Sequence, residues 1–188
     1  MLAQACVVAE PVDSIALLIA EGDHRGAVSQ CVSRHGAALG RMCMALLGSQ
    51  ADADEVVQET LLAAHRAMAS YRGEGTVRAW LFGIARRQCA RHLEKKQRHR
   101  RHLHLVPDPP PGEDPEGSLA TKQRAQRVRS ALARLKPSER EALVLRYQAD
   151  LSFREIASIF GIEEAAARKR ASRGLHRLRA LLGAEVTE

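Results

Sequence analysis

The sequence predicts an all-α protein of two small helical domains joined by a flexible, proline-rich, acidic linker. Apolar residues recur at spacings of three and four along most of the chain, and no stretch alternates as a half-buried strand would. Residues 103–118 interrupt this pattern with five of the seven prolines, which lack the N–H that a helix interior needs. A length of 188 residues suits one ordinary domain or two small ones.

The composition excludes several classes of protein. An apolar fraction of 45% with 27% charged residues is typical of a folded globular chain. No apolar run approaches the ~18–20 residues of a membrane span, and no basic segment precedes an apolar run as in a secretory signal. We therefore expect a cytoplasmic protein without membrane insertion and with reduced cysteines, of which Cys31, Cys43 and Cys89 should be small buried apolar residues.

The net charge of +7 is concentrated in two clusters. Residues 86–101 hold eight Lys or Arg and one acidic residue, and residues 164–179 hold six and one. Residues 105–119 lie between them and hold four acidic residues and no basic ones. Basic clusters on helices indicate nucleic-acid binding, although a solvated basic face would explain either cluster alone.

The apolar spacing between Val28 and Leu46 predicts a long helix that ends near Gly48. We expect the next helix to begin with Asp52 as its N-cap and to bury Val57 and Leu61. The opposite stripe of that helix is acidic with one embedded leucine, and it runs through Glu55, Gln58, Glu59, Leu62 and Arg66.

A second N-cap candidate, Thr76, follows the turn at residues 71–75 and predicts a helix of about 25 residues. Its outer stripe is basic through Arg87, Arg91, Lys95 and Arg98, with Arg86 beside it. Gly83 lies inside this helix at a cost of about 0.5–1 kcal/mol relative to alanine, which indicates close backbone packing there.

A helix-turn-helix is predicted in the second half of the chain. Pro137 opens one helix, and Ser152 with Glu155 forms a capping box at the start of a short one. Gly161 supplies the turn, and a basic helix follows from about Glu163 to residue 182. This order is typical of a DNA-binding helix-turn-helix, with an ordinary αα-hairpin as the alternative.

Together these segments resemble the extracytoplasmic-function (ECF) sigma factors of bacterial RNA polymerase, over residues 15 to 182. The matching segments are EGD at 21–23, LLG at 46–48, DADEVVQET at 52–60, YRGE at 71–74, RAWLFGIAR at 78–86, LKPSERE at 135–141 and LSFREIA at 151–157. The resemblance implies a region 2 domain at 12–102, a linker at 103–118 and a region 4 domain at 119–185. It implies an alternative sigma factor that binds core polymerase, directs it to specific promoters and assists promoter opening. We expect an anti-sigma partner, no cofactor and no enzymatic activity.

The resemblance also implies binding residues. The acidic stripe would dock on the coiled coil of the largest polymerase subunit through Asp54, Glu55, Gln58, Glu59 and Leu62. The minus-ten element, including a flipped base of the melted non-template strand, would meet Tyr71, Arg72, Trp80, Arg86, Arg87 and Arg91. Duplex DNA at the minus-thirty-five element would meet Arg168, Lys169, Arg170 and Arg173. Two roles remain open for Trp80: a wedge at the edge of the melted DNA, or an anchor in the core between helices.

Several positions depart from the family pattern. Glu163 is a poor N-cap where a small hydroxyl residue is usual, and Gly174 stands where alanine is common. Ala166 and Ala167 replace a common Thr-Val pair. These departures leave open which base sequence the last helix recognises. We still expect this helix to bind in the major groove.

Two other functions are weighed against the sigma factor. A helix-turn-helix regulator that does not engage polymerase would explain residues 137–182 and leave the first domain without a role. An enzyme would need a paired carboxylate–histidine or cysteine–histidine motif, which the sequence lacks. His99, His102 and His104 lie close together, but their spacing shows no convergence, so no metal site is expected.

Overall fold

A computed structural model describes residues 13–103 and 119–184 of the chain, and within these ranges every regular element is helical. The first domain holds α1 to α4, with a 3-10 turn at Met68–Ser70 before α4. The second domain holds α5 to α8. The helices are α1 (Ser14–Ala20), α2 (His24–Leu47), α3 (Gln50–Ala67), α4 (Val77–Leu103), α5 (Leu119–Ala133), α6 (Pro137–Tyr147), α7 (Phe153–Phe160) and α8 (Glu164–Ala184). The predicted all-α class is confirmed. Residues 104–118 of the predicted linker lie outside the described residues.

The start of α3 differs from the sequence prediction. Ser49, not Asp52, is the N-cap, and its side chain accepts a hydrogen bond from the backbone N–H of Asp52 at 3.3 Å. Asp52 lies inside the first turn, and its carboxylate instead accepts a hydrogen bond from Lys96 of α4 at 2.9 Å. The end of the preceding helix is as predicted, because Gly48 adopts the left-handed conformation that closes α2.

The buried face of α3 is also rotated relative to the prediction. Val56 and Thr60 are fully buried, whereas Val57 and Leu61 are only partly buried. The reason is that α3 packs against both α2 and α4, so its inner face is centred between them. Thr60 tolerates this position because its hydroxyl donates a hydrogen bond to the carbonyl of Val56 at 2.7 Å.

Helix α4 begins as the sequence predicts. The hydroxyl of Thr76 accepts a hydrogen bond from the N–H of Ala79 at 3.0 Å. The prediction of buried cysteines is also confirmed, since Cys43 and Cys89 are buried with their sulfur atoms 3.8 Å apart, and Cys31 is buried beside them in the same core. The hydrogen bond with Cys43 and its burial raise the pKa of Cys89, so it remains a thiol.

The helix-turn-helix is confirmed in the second domain. Ser152 and Glu155 form the capping box of α7, and Gly161 ends that helix with φ 63°. Helix α8 then crosses α6 at Gly174, where an added Cβ would lie 3.2 Å from the backbone carbonyl of Glu139. Close packing of two helices therefore explains the glycine at this position.

One apolar core spans the two domains, and a smaller one lies within the second domain. The buried residues of the spanning core include Leu81 and Phe82 of α4 together with Leu145 and Ile156 of the second domain. The close backbone packing predicted at Gly83 does not occur, since an added Cβ would meet only the side chain of Ile159, in ordinary van der Waals contact with its Cγ1 at 3.8 Å. In the described part of the chain, no helix is both long and apolar enough to cross a membrane.

Candidate nucleic-acid and polymerase interfaces

The acidic stripe of α3 is a continuous exposed surface. Every one of its predicted polymerase-binding residues is solvent-exposed, and Leu62 exposes 58% of its surface despite its apolar side chain. The positions i, i+1, i+4, i+5 and i+8 place them on one face of a helix. These residues are Asp54, Glu55, Gln58, Glu59 and Leu62. Leu62 gives this face an apolar contact area, and the carboxylates around it give the face a negative potential.

Asp52 lies beside this stripe but serves the fold. Its carboxylate is 2.9 Å from Lys96 Nζ and 3.3 Å from His92 Nε2, so it links α3 to α4. Partial burial acts to raise the pKa of Asp52, but the hydrogen bonds and charges of Lys96 and His92 outweigh it and hold that pKa below its usual range. The stripe is thereby fixed relative to the basic helix.

The same neighbourhood contains three groups that could offer ligand atoms to a cation. The ligand atoms of Asp52, Glu55 and His92 lie within 4.8 Å of one another. In the structure the ammonium group of Lys96 lies against the Asp52 carboxylate, where a metal ion would have to bind. Of the histidines considered from the sequence, His99 is exposed, and the side chains of His102 and His104 lie outside what the structure describes.

The loop before α4 is held by an aromatic pair. The Tyr71 hydroxyl donates a hydrogen bond to the Gly75 carbonyl at 3.1 Å, and its ring centroid lies 5.1 Å from that of Trp80. Trp80 is half-buried and packs against the core, as an anchor would, while its contact with Tyr71 places it at the loop. Arg72 is exposed on the loop. Burial raises the pKa of Tyr71, so its hydroxyl stays protonated and keeps donating.

The predicted minus-ten arginines of α4 fall into two groups. Arg87 and Arg91 are exposed one turn apart and form the basic stripe that the sequence predicts. Arg86 is half-buried, and its Nε lies 2.6 Å from Oε2 of Glu141 in the second domain. Its guanidinium also lies 4.7 Å from the centre of the Phe160 ring. Arg86 is thus engaged by the protein itself.

The predicted minus-thirty-five residues divide in a similar way. Lys169 and Arg173 are exposed, whereas Arg170 is half-buried with its guanidinium 5.0 Å from the centre of the Phe160 ring. Arg168 is exposed, pairs with Glu164 at 2.8 Å and lies 5.1 Å from the ring centre of Phe153. These contacts hold the long side chains in fixed directions at the start of α8.

Family models match both halves of the chain. The Sigma-70 region 2 model matches residues 31–99, and the Sigma-70 region 4 model matches residues 125–178. The RNA polymerase sigma factor CnrH of Cupriavidus metallidurans is 31% identical over 94% of this chain and 97% of its own. The ECF RNA polymerase sigma factor SigM of Mycobacterium tuberculosis is 30% identical over 85% of this chain and 79% of its own. The chain belongs to the ECF RNA polymerase sigma factors. Its function is therefore to direct RNA polymerase to promoters, as the resemblance implied.

Solved structures of other sigma factors match the fold across both domains. The structure of CnrH in complex with the cytosolic domain of CnrY aligns with a TM-score of 0.69, at 30% identity, over 91% of this chain and 96% of that one. The sigma factor RpoE in complex with the anti-sigma factor NepR from Bartonella quintana aligns with a TM-score of 0.68, at 25% identity, over 82% and 96%. The arrangement of two helical domains is therefore that of known sigma factors.

Sequence reasoning missed the side chains that join the two domains of this sigma factor. Thr76 donates a hydrogen bond to Glu155 at 2.8 Å, and the Arg78 guanidinium donates one to the carbonyl of Ala149. Burial acts to raise the pKa of Glu155, but hydrogen bonds from Ser152 and Thr76 and the charge of Arg78 hold it below its usual range. No local signal marks such pairs, because Thr76 and Glu155 are 79 positions apart.

Proposed function

We propose that the acidic stripe of α3 binds core polymerase and that the basic faces of α4 and α8 bind the two promoter elements. The observation that carries this proposal is the exposure of all five stripe residues together with the exposed arginines of both basic helices. The family assignment makes polymerase and promoter DNA the partners, and these surfaces have the charges that each partner requires.

The stripe suits a basic helical partner. Carboxylates on one helix face give complementary potential and orient the encounter, while an apolar residue beside them adds buried area. Glu55, Glu59 and Leu62 supply both within two turns of α3. Because Asp52 is already paired with Lys96, it is not counted in this surface.

The basic faces suit the two states of promoter DNA. Arg87 and Arg91 on α4 would bind phosphates, and the Tyr71 and Trp80 rings at the start of this helix would stack on unpaired bases of the non-template strand. Lys169 and Arg173 on α8 would enter the major groove of duplex DNA, where arginine pairs with guanine edges. Arg72, Arg86, Arg168 and Arg170 complete the two sets proposed from the resemblance.

The domain limits and the regulatory partner are proposed with the sites. We assign residues 12–102 to region 2, 103–118 to the linker and 119–185 to region 4, in agreement with the order of the matched family models. Because CnrH is solved with the cytosolic domain of CnrY, and RpoE with the anti-sigma factor NepR, we propose an anti-sigma partner here too. The protein would act by binding in the cytoplasm, without chemistry of its own and without a cofactor.

Run-off transcription tests the proposal. Purified full-length protein is mixed with core polymerase and a library of genomic fragments, and transcripts are mapped by their 5′ ends. We expect at least one start that core polymerase alone does not give. If no start is found, while the protein still protects a duplex from nuclease without polymerase, the alternative of a helix-turn-helix regulator is supported instead.

A further inference from the structure

A cleft of about 700 Å³ lies between α2 of the first domain and α5 of the second. Its two walls are helix faces, because the lining residues of each helix recur at spacings of three and four. Two glutamines close its ends, Gln50 at the start of α3 and Gln148 just after α6. The volume is within the range of roughly 300–1,000 Å³ that is typical of small-molecule sites.

The interior of the cleft is apolar and open. Met44 of α2 faces Val128 and Leu132 of α5 across it, and Leu132 is only 8% exposed. Gly40 lines the α2 wall, and an added Cβ at this position would have no atom within 4 Å. The protein therefore leaves a space lined by apolar side chains that its own atoms do not fill.

Three guanidinium groups surround this space, those of Arg41, Arg124 and Arg129. None of the described lining residues is acidic. Nε and Nη2 of Arg129 both donate hydrogen bonds to Gln126 Oε1, at 3.2 and 3.0 Å, which fixes the direction of this side chain. Arg41 and Arg124 have no ion-pair or hydrogen-bond partner among the described side chains. Three cations around one cleft without a carboxylate among the lining residues favour an anionic ligand.

We propose that this cleft binds a small amphipathic anion, a ligand with one carboxylate, sulfonate or phosphate group and an apolar body. The arginines would hold the anionic group through charge-assisted hydrogen bonds, which guanidinium groups form with both carboxylates and phosphates. The apolar body would cover Met44, Val128 and Leu132 and remove their surface from water. A ligand with only one of these two parts would leave half of the site unused.

The position of the cleft makes binding measurable in the intact protein. Because its walls come from both domains, a ligand in it contacts α2 and α5 together. Gln50 at its edge also donates a hydrogen bond to Asp54 of the acidic stripe at 2.8 Å. A ligand that binds only the folded chain raises the midpoint of thermal unfolding as its concentration rises.

Calorimetric titration of the full-length protein tests the ligand class. Decanoate represents the fatty acids and 2-naphthoate the aromatic acids, both used well below the concentration at which micelles form. We expect saturable binding of at least one of them with a ratio of one to one. Inorganic phosphate has no apolar body and decan-1-ol has no charge, so each should bind at least tenfold more weakly. If decan-1-ol binds as tightly as decanoate, the arginines have no role and the proposal is wrong.

Two variants locate the site. Gly40→Leu fills the open space and should weaken binding at least tenfold. Gly36→Leu is its control, because it makes the same change on α2 outside the lining residues, where an added Cβ would be in ordinary contact with Val32.

The second variant removes charge. Arg41→Gln/Arg124→Gln changes two exposed residues that serve no described contact, so the fold should persist, as circular dichroism will verify. Binding should again fall at least tenfold. Arg25→Gln/Arg34→Gln removes the same charge from exposed positions of α2 outside the cleft. Equal losses in either variant and its control would overturn the site.

The acidic segment that precedes α5 is the competing occupant. A variant with Asp108→Asn, Glu113→Gln, Asp114→Asn and Glu116→Gln removes its four negative charges. If the wild type binds neither probe and this variant does, the chain itself occupies the cleft and the proposal is wrong. It is equally wrong if neither protein binds a probe. The run-off assay does not enter this test, and no lining residue belongs to the surfaces proposed for polymerase and DNA, so either proposal can fail without the other.

Discussion

Arg177 of α8 donates two hydrogen bonds to the carboxylate of Glu139 in α6, at 2.9 and 2.7 Å. Glu139 is 6% exposed, so this arginine neutralises a carboxylate that is almost removed from water. By sequence Arg177 belongs to the same basic cluster as the proposed DNA contacts. Its partner shows instead that it fixes the recognition helix to the rest of the second domain.

Arg177→Ala should therefore destabilise the protein. The change leaves the Glu139 carboxylate buried without its partner, which costs 3–5 kcal/mol for fully buried pairs. Since 47% of the Arg177 side chain is exposed, solvent reduces this cost, and we expect a loss of about 1–2 kcal/mol in the free energy of unfolding. Denaturant unfolding measures it, with the exposed Arg179→Ala as the control. Equal stability of the two variants would contradict the structural role.

Charge reversal in the acidic stripe should abolish polymerase binding. Glu55→Lys/Glu59→Lys places two cations on a face that we propose meets a basic helix, so affinity for core polymerase should fall at least tenfold. Glu21→Lys/Glu94→Lys makes the same charge change at exposed positions outside the stripe. Co-purification with core polymerase is the measurement, and circular dichroism checks the fold. Equal losses in the two variants would refute the assignment of the stripe.

Loss of two exposed arginines from α4 should weaken the salt dependence of DNA binding. With Arg87→Ala/Arg91→Ala, the slope of log K against log salt for the polymerase complex should become shallower by about 1.4–1.8, because each phosphate contact contributes ~0.7–0.9. Arg25→Ala/Arg34→Ala removes the same charge from exposed positions on α2. A titration of binding to labelled promoter DNA over a range of salt concentrations gives both slopes. Parallel slopes for the two double variants would argue against phosphate contacts on α4.

Alanine at position 174 should be unfavourable, although alanine is the better helix former. The added Cβ would lie 3.2 Å from the Glu139 carbonyl, and the rigid α6 backbone cannot yield easily. Crowding of this kind costs about 1–3 kcal/mol against a gain of about 1 kcal/mol in helix propensity, so we expect a net loss near 1 kcal/mol. Gly40→Ala in α2, with nothing within 4 Å of the added Cβ, should be neutral or stabilising. Unfolding curves that rank the two variants in the opposite order would contradict the close crossing.

Local signals made much of the fold predictable. The capping box of Ser152 and Glu155 and the left-handed Gly161 depend on neighbours within a few positions, and they were predicted correctly. The cap of α3 was wrong because Ser49 and Asp52 are both good capping residues three positions apart. What decides between them is Lys96, which is distant in the sequence and draws the Asp52 carboxylate to α4.

The sites show the same division between local and distant causes. Helical spacing predicted which side chains of α3 and α4 would face outward, and Glu55, Glu59 and Arg87 are indeed exposed. It could not predict that Arg86 meets Glu141, because the partner lies in the other domain. Periodicity gives the direction of a side chain, whereas the tertiary packing gives its partner.

The contact between Tyr71 and Trp80 has a spectroscopic consequence. Trp80 is the single tryptophan of the chain, and it lies in the segment where DNA would be melted. Its emission therefore reports on one place in the molecule without any attached dye. Quenching by a stacked base or a blue shift on loss of water would report the binding of single-stranded DNA to the free protein, and stopped-flow mixing would give the rate of that binding.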